Sequence, residues 1–117
     1  MPKTLPVVDI SAPICCAPLA AGSMTSEDAV ALALRLKALA DPVRLQLMSM
    51  LMGARPGEVA ASDLACAVGV SGGTASHHLN QLRNAGLVAS ERRGVNVFYR
   101  AEPENLEAMR VVLDTCC

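Results

Sequence analysis

The chain has 117 residues, with ten Lys and Arg against eleven Asp and Glu, a net charge of −1 and only 2% aromatics. That length builds one domain with a modest core, small enough to gain from burial against a second copy. A core nearly without aromatics must be assembled from Leu, Val, Met and Ala, which suits packed helices. No apolar run reaches the roughly 18 residues of a membrane span, and the N-terminus lacks the basic-then-apolar pattern of a secretory signal. A cytoplasmic protein with no membrane partner is expected. In a reducing compartment the five cysteines, at 15/16, 66 and 116/117, fit thiolate chemistry better than a disulfide framework.

Residues 1–25 carry Pro2, Pro6, Pro13 and Pro18 without sustained periodicity and read as an extended arm bearing the Cys15–Cys16 pair. "TSED" then opens a helical run, Ala29 to Ala40, with apolar side chains on nearly every face. Such a helix needs covering on more than one side, which predicts a homodimer. Asp41 and Pro42 supply an N-cap and a first helical residue for "VRLQLMSMLM", with Gly53 expected as a left-handed terminator. "ARPGE" reads as a loop and "ASDLACAV" as a short helix ended by Gly69. Ser71 caps the next helix, in which Ala75, Leu79 and Leu82 form an inward stripe up to the stop at Gly86. Ser76, His77, Asn80 and Arg83 fall outside that stripe, whereas His78 adjoins it and reads as a packed core histidine. "GLVASERRGVNVFYR" predicts two strands joined by a polar turn at Arg93 to Asn96. Leu106, Met109, Val112 and Leu113 mark a last helical stripe, with Cys116 and Cys117 beyond it. The expected architecture is therefore mainly α with a small β-hairpin, a winged helix-turn-helix over residues 26–115.

Two short helices joined by "GVS" and followed by a hairpin place the second helix where its N-terminal half can enter the major groove of duplex DNA. From Ser71 to Arg100 four arginines stand against one glutamate, and this local excess faces a polyanion although the whole chain is near neutral. Gly72, Gly73, Thr74 and Ser76 keep the helix start slim, its N–H groups attract phosphate, and Ser71, Gly73 and Thr74 are candidate DNA contacts there. Ser76, His77 and Gln81 are candidate readers of base edges, and Arg92 and Arg93 on the wing are candidates for phosphate or minor-groove contact. No Ser/His/Asp or Cys/His arrangement with an orienting carboxylate is evident, so an enzyme is not expected.

The segments "LKALADPVRLQLMSML", "SDLACAVGVSGGTASHHLNQLRNAGLV" and "RRGVNVFYR" resemble the arsenic-repressor (ArsR/SmtB) family of metal-sensing winged-helix repressors, over roughly residues 28–113. The resemblance implies a homodimer built by the first and last helices and a palindromic double-stranded operator. Gly72 and Gly73 stand where the family usually has Gln-Pro, which adds backbone freedom at the helix start. Its Cys-Val-Cys arsenic box would fall on Ala60, Ala61 and Ser62, and the His of its last-helix zinc site has no counterpart in residues 104–115.

A branch of the family has a Cys-Cys pair on the N-terminal arm that binds arsenite with a third cysteine near the end of the second helix. Cys15 and Cys16 match the pair, but Pro56 stands about where the third would be. The resemblance thus implies As(III) as inducer, with Sb(III) or Cd(II) as other soft ions that select sulfur. Cys116 and Cys117 are the favoured further donors, and Cys66 is the other candidate. A thiol-redox-sensing repressor, or a cadmium or lead sensor on the same scaffold, remains the alternative.

Overall fold

The structure is a computed structural model and describes residues 23–54 and 57–113. Its elements are α1 (Ser26–Leu39), α2 (Pro42–Gly53), β1 (Glu58–Ala60), α3 (Ala61–Val68), α4 (Gly72–Asn84), β2 (Val88–Arg93), β3 (Asn96–Ala101) and α5 (Pro103–Leu113). The helix starts follow their caps. Thr25 accepts the Asp28 N–H at 3.1 Å, and Asp41 accepts the N–H groups of Val43 and Arg44 at 2.9 and 3.2 Å ahead of Pro42. Each side-chain oxygen satisfies donors that the first helical turn leaves without an intrahelical acceptor. Those backbone bonds, that from Arg44 foremost, hold the Asp41 carboxyl below its ordinary range.

Two helix ends share one geometry. Gly69 at φ 73° and Gly86 at φ 76° each donate back three residues, and the residue after each donates back five, Val70 to Ala65 and Leu87 to Leu82. This is the Schellman arrangement, in which the left-handed position costs glycine nothing. Gly53 behaves otherwise. It is the last residue of α2, and the chain leaves through Ala54 in extended geometry, so the expected left-handed stop is not made there.

The core is aliphatic, as the composition requires. Leu47 of α2, Leu64 of α3, Leu79 and Leu82 of α4, and Leu87 are fully buried, with Tyr99 of β3 and Met109 and Val112 of α5 joining the same cluster. Removing such side chains from water is what holds α4 against α2 and α3. Leu113 leaves the predicted stripe and is exposed, as are Val111 on α5 and Leu34 and Leu36 on α1. On α1 the inward stripe is Leu32, Arg35 and Ala38, and the guanidinium of the buried Arg35 donates to the Ala31 carbonyl at 3.2 Å.

The hairpin is wider than expected. The sheet has three antiparallel strands in the order β1-β3-β2, with Glu58 opposite Arg100 and Glu91 opposite Phe98. The segment read as loop up to Glu58 thus enters a strand, because β3 offers its second edge to Glu58–Ala60. Gly94, at φ 63°, occupies the first central position of the two-residue hairpin turn, where a positive φ is needed. No helix among the described residues is long and apolar enough to cross a membrane.

Candidate nucleic-acid interface

The reader helix is set by what lies behind it. Ala75, Leu79 and Leu82 bury one side of α4 completely, so Ser76, His77, Asn80, Gln81 and Arg83 are left exposed on the other. At its start, Ser71 accepts the Thr74 N–H at 3.2 Å and bonds the Thr74 hydroxyl at 3.0 Å. A Cβ added at Gly72 or Gly73 would meet nothing within 4 Å, so no packing inside the chain calls for glycine there. The first turn of α4 is therefore open on its outer side, with the positive end of the helix directed into solvent.

The predicted readers Ser71, Gly73, Thr74, Ser76, His77 and Gln81 all lie on this exposed surface. His78 differs from the packed, satisfied histidine expected. It is half-buried, its ring edge-on to His77 at 5.7 Å between centroids, and its buried Nδ1 has no hydrogen-bond partner. The nearest carboxylate oxygen, on Asp41, is 4.0 Å from that nitrogen.

The two wing arginines are unlike each other. Arg92 is exposed and has no ion pair among the described residues. Arg93 is gripped by Glu58 of β1 and by Glu91 of its own strand at 3.0 Å, and lies over the Phe98 ring at 4.8 Å. The two carboxylates push the Arg93 pKa further up, and Arg93 in turn holds the Glu91 carboxyl below its ordinary value. Arg93 therefore ties the wing to β1, while Arg92 keeps its full charge outward. Between them and Asn96, Val95 is 92% exposed, an apolar tip in a turn expected to be polar.

A cleft on the wing side of α4 is lined by Ser62, Gly72, Ser76 and Val95 to Val97, among others. Glu58 escaped sequence reasoning because its partner is 35 residues away. The only local hint was an acidic residue just ahead of a helix.

The thiols divide differently. Cys66 is exposed on α3 and free, as its place opposite Leu64 and Val68 predicts. The pairs Cys15–Cys16 and Cys116–Cys117 lie outside the described residues, as does nearly all of the arm. Among the described residues no three His, Cys, Asp or Glu side chains come together as metal ligands.

A short helix, a Schellman turn, an exposed capped helix and a braced hairpin make a winged helix-turn-helix. Residues 41–90 match the family described as bacterial regulatory protein, arsR family. The homodimeric winged helix-turn-helix DNA-binding domain Mb0332 of Mycobacterium bovis, described as a possible ArsR-family transcriptional regulator, is 33% identical to the chain. That match covers 79% of this chain and 82% of that one, with a TM-score of 0.59. The chain belongs to the arsR family. The antimony-specific repressor AntR superposes with a TM-score of 0.61 at 32% identity, over 74% of this chain and 77% of its own. Among curated relatives, the arsenic resistance regulator ArsR1 of Pseudomonas putida is 40% identical over 68 residues, 58% of this chain and 52% of its own. The chain spans 52 to 61% of the length of three such relatives.

Proposed function

We propose that the protein is a homodimeric transcriptional repressor that holds operator DNA through α4 and the wing and lets go when a thiophilic ion, As(III) foremost, binds its cysteines. The observation that carries the DNA half is the open N-terminal turn of α4. A capped helix start, free of side-chain cover at Gly72 and Gly73, leads into a polar face backed by a fully buried stripe. Ser76, His77 and Gln81 meet base edges in the major groove, Ser71, Gly73 and Thr74 approach phosphate, and Arg92 meets the backbone from the wing. Arg93 positions that wing in addition to any phosphate contact of its own.

The dimer draws on apolar side chains that α1 and α5 leave exposed, Leu36, Val111 and Leu113. A second copy covering them removes apolar area that a monomer leaves in water.

The inducer half rests on donor chemistry. Cys15 and Cys16 with Cys116 and Cys117 form an all-thiolate set, which suits As(III), Sb(III) or Cd(II) better than harder ions. AntR is described as an antimony-specific repressor and ArsR1 as an arsenic resistance regulator. Cys66, whose exposed thiol is open to a ligand, is the second candidate donor. Tying the arm to the segment after α5 would favour a subunit orientation in which the two α4 helices no longer fit successive grooves. A hundredfold loss of operator affinity needs about 2.7 kcal/mol of coupling, and DNA then weakens ion binding equally.

The test is a mobility shift on the protein's own promoter DNA, titrated with arsenite. Wild type is expected to dissociate, Cys15→Ser and Cys16→Ser to stay bound, and a Cys116→Ser/Cys117→Ser double variant to stay bound as well. Retention in Cys66→Ser alone would move the third sulfur to α3. Wild type that stays bound in saturating arsenite would end the inducer reading, and peroxide release without metal would replace it with a redox sensor.

A further inference from the structure

On the flank of α4 opposite the wing lies a second cleft, about 350 Å³, whose polar lining is Lys37 of α1, Arg44 of α2, and His77, Gln81 and Asn84 of α4. The three α4 residues stand at i, i+4 and i+7 and share one stripe, about a third of a turn around the helix from Gly72 and Ser76 of the wing-side cleft. The exposed ridge of α4 is thus bordered by a hollow on each side.

The chemistry of this second hollow is that of an anion receptor. Every polar side chain lining it is a hydrogen-bond donor, and no carboxylate is among them. The Arg44 Nε is buried and has no acceptor. The nearest carboxylate in sequence, Asp41, is engaged in capping the backbone N–H groups of Val43 and Arg44. Lys37 is exposed and has no ion pair among the described residues. The Arg44 guanidinium and the Lys37 ammonium line the hollow together, with the Asn84 amide beside them, and an oxyanion there would take charge-assisted hydrogen bonds from both cations.

We propose that this cleft is a phosphate site, and that on DNA it takes one backbone phosphate per subunit. A helix in the major groove has a sugar-phosphate strand on either side. With α4 seated there, the strand beyond the wing meets Lys37 and Arg44, so α1 and α2 hold the duplex together with α4. The duplex part of this inference rests on the DNA-binding reading above; the phosphate part does not.

The test uses the full chain and a generic duplex long enough for two half-sites, since phosphate contacts need no particular sequence. Equilibrium binding is followed by fluorescence anisotropy over a range of salt. Each phosphate that the protein no longer neutralises lowers the slope of log affinity against log salt by about 0.9, so Lys37→Gln is expected to reduce it by about 1.8 per dimer. Lys37→Arg restores it, and Arg110→Gln, removing an exposed charge on α5, leaves it unchanged.

In parallel, inorganic phosphate is titrated without DNA, and the side-chain amide resonances of Gln81 and Asn84 are followed by NMR in wild type and Lys37→Gln. A slope that falls for Lys37→Gln alone supports the backbone phosphate. An unchanged slope, with amides that shift in wild type only, keeps the phosphate site but overturns its role on DNA. Equal effects of Lys37→Gln and Arg110→Gln, or no response in either assay, overturn the inference. Wild type that binds no duplex, its own promoter included, would defeat the repressor reading instead, while the phosphate titration still reports on the cleft.

Discussion

The reader helix and the wing hold their positions by different physics. Behind α4, Ala75, Leu79 and Leu82 sit in an aliphatic core that excludes water. The wing, rooted in that core by Val88 and Tyr99, is fastened farther out at its surface, by Arg93 between Glu58 and Glu91, each side chain at least 30% exposed. Burial is untouched by charge screening and nearly indifferent to pH, whereas exposed ion pairs are screened by salt and titrated by acid. The α4 side is thus rigidly based, and the outer wing answers to its solution.

The contrast is undone most severely at the core. Leu79→Ala is expected to cost about 2–5 kcal/mol, because a cavity opens under α4 where Leu47 and Leu82 cannot close it. Chemical denaturation reads this directly, and a loss no larger than that of a surface substitution would show that α4 is not held by its buried stripe. Next in size is Ser71→Ala, which removes the cap from α4 at about 1 kcal/mol. Ser71→Gly, which keeps a small flexible cap, should recover most of that difference.

Glu58→Gln probes the wing instead. It removes the side-chain tie between Arg93 and β1 while leaving the β1–β3 ladder and Arg92 untouched, so it should lower the melting temperature less than Ser71→Ala does. It should also weaken operator binding more at high salt than at low, when the remaining Arg93–Glu91 pair is screened. A melt and a salt series of anisotropy titrations decide it.

The smallest effect concerns acid. Arg93 lowers the Glu91 pKa in the folded protein below its ordinary 4.5, so the stabilisation from this pair is complete above that value. It is lost as pH falls through the depressed folded value. Asp41 behaves likewise below its ordinary 3.8 through its backbone bonds at α2. Arg93→Gln should therefore lower the neutral plateau and flatten the acid limb of the stability profile below about pH 4.5, leaving its fully protonated end unmoved. An unchanged limb would mean that the pair contributes nothing in solution.

Most of the helix-turn-helix was legible from neighbouring residues. Thr25, Asp41 with Pro42, and Ser71 announce helix starts because capping is a bond to the next three residues, and Gly69 and Gly86 announce stops because only local backbone geometry is at issue. The inward stripe of α4 followed from a period of 3.6, and with it the exposed candidates Ser76, His77 and Gln81.

Other features have causes far away in the chain. The three residues of β1 carry no strand signal of their own and are a strand because β3, some 40 residues later, presents an edge to them. Arg93 looked like a free wing cation until Glu58 was brought beside it, and the hollow of Lys37, Arg44 and His77 exists only where three helices meet. Gly53 shows the same limit from the other direction, a glycine at a helix end whose left-handed freedom the chain does not use. What the order of amino acids determined alone was every feature decided within about a turn of helix: starts, stops and faces. What only the tertiary structure decided was which charges are paired, which hollows form and which edges are taken, because those energies depend on residues that chain order leaves apart and packing brings together.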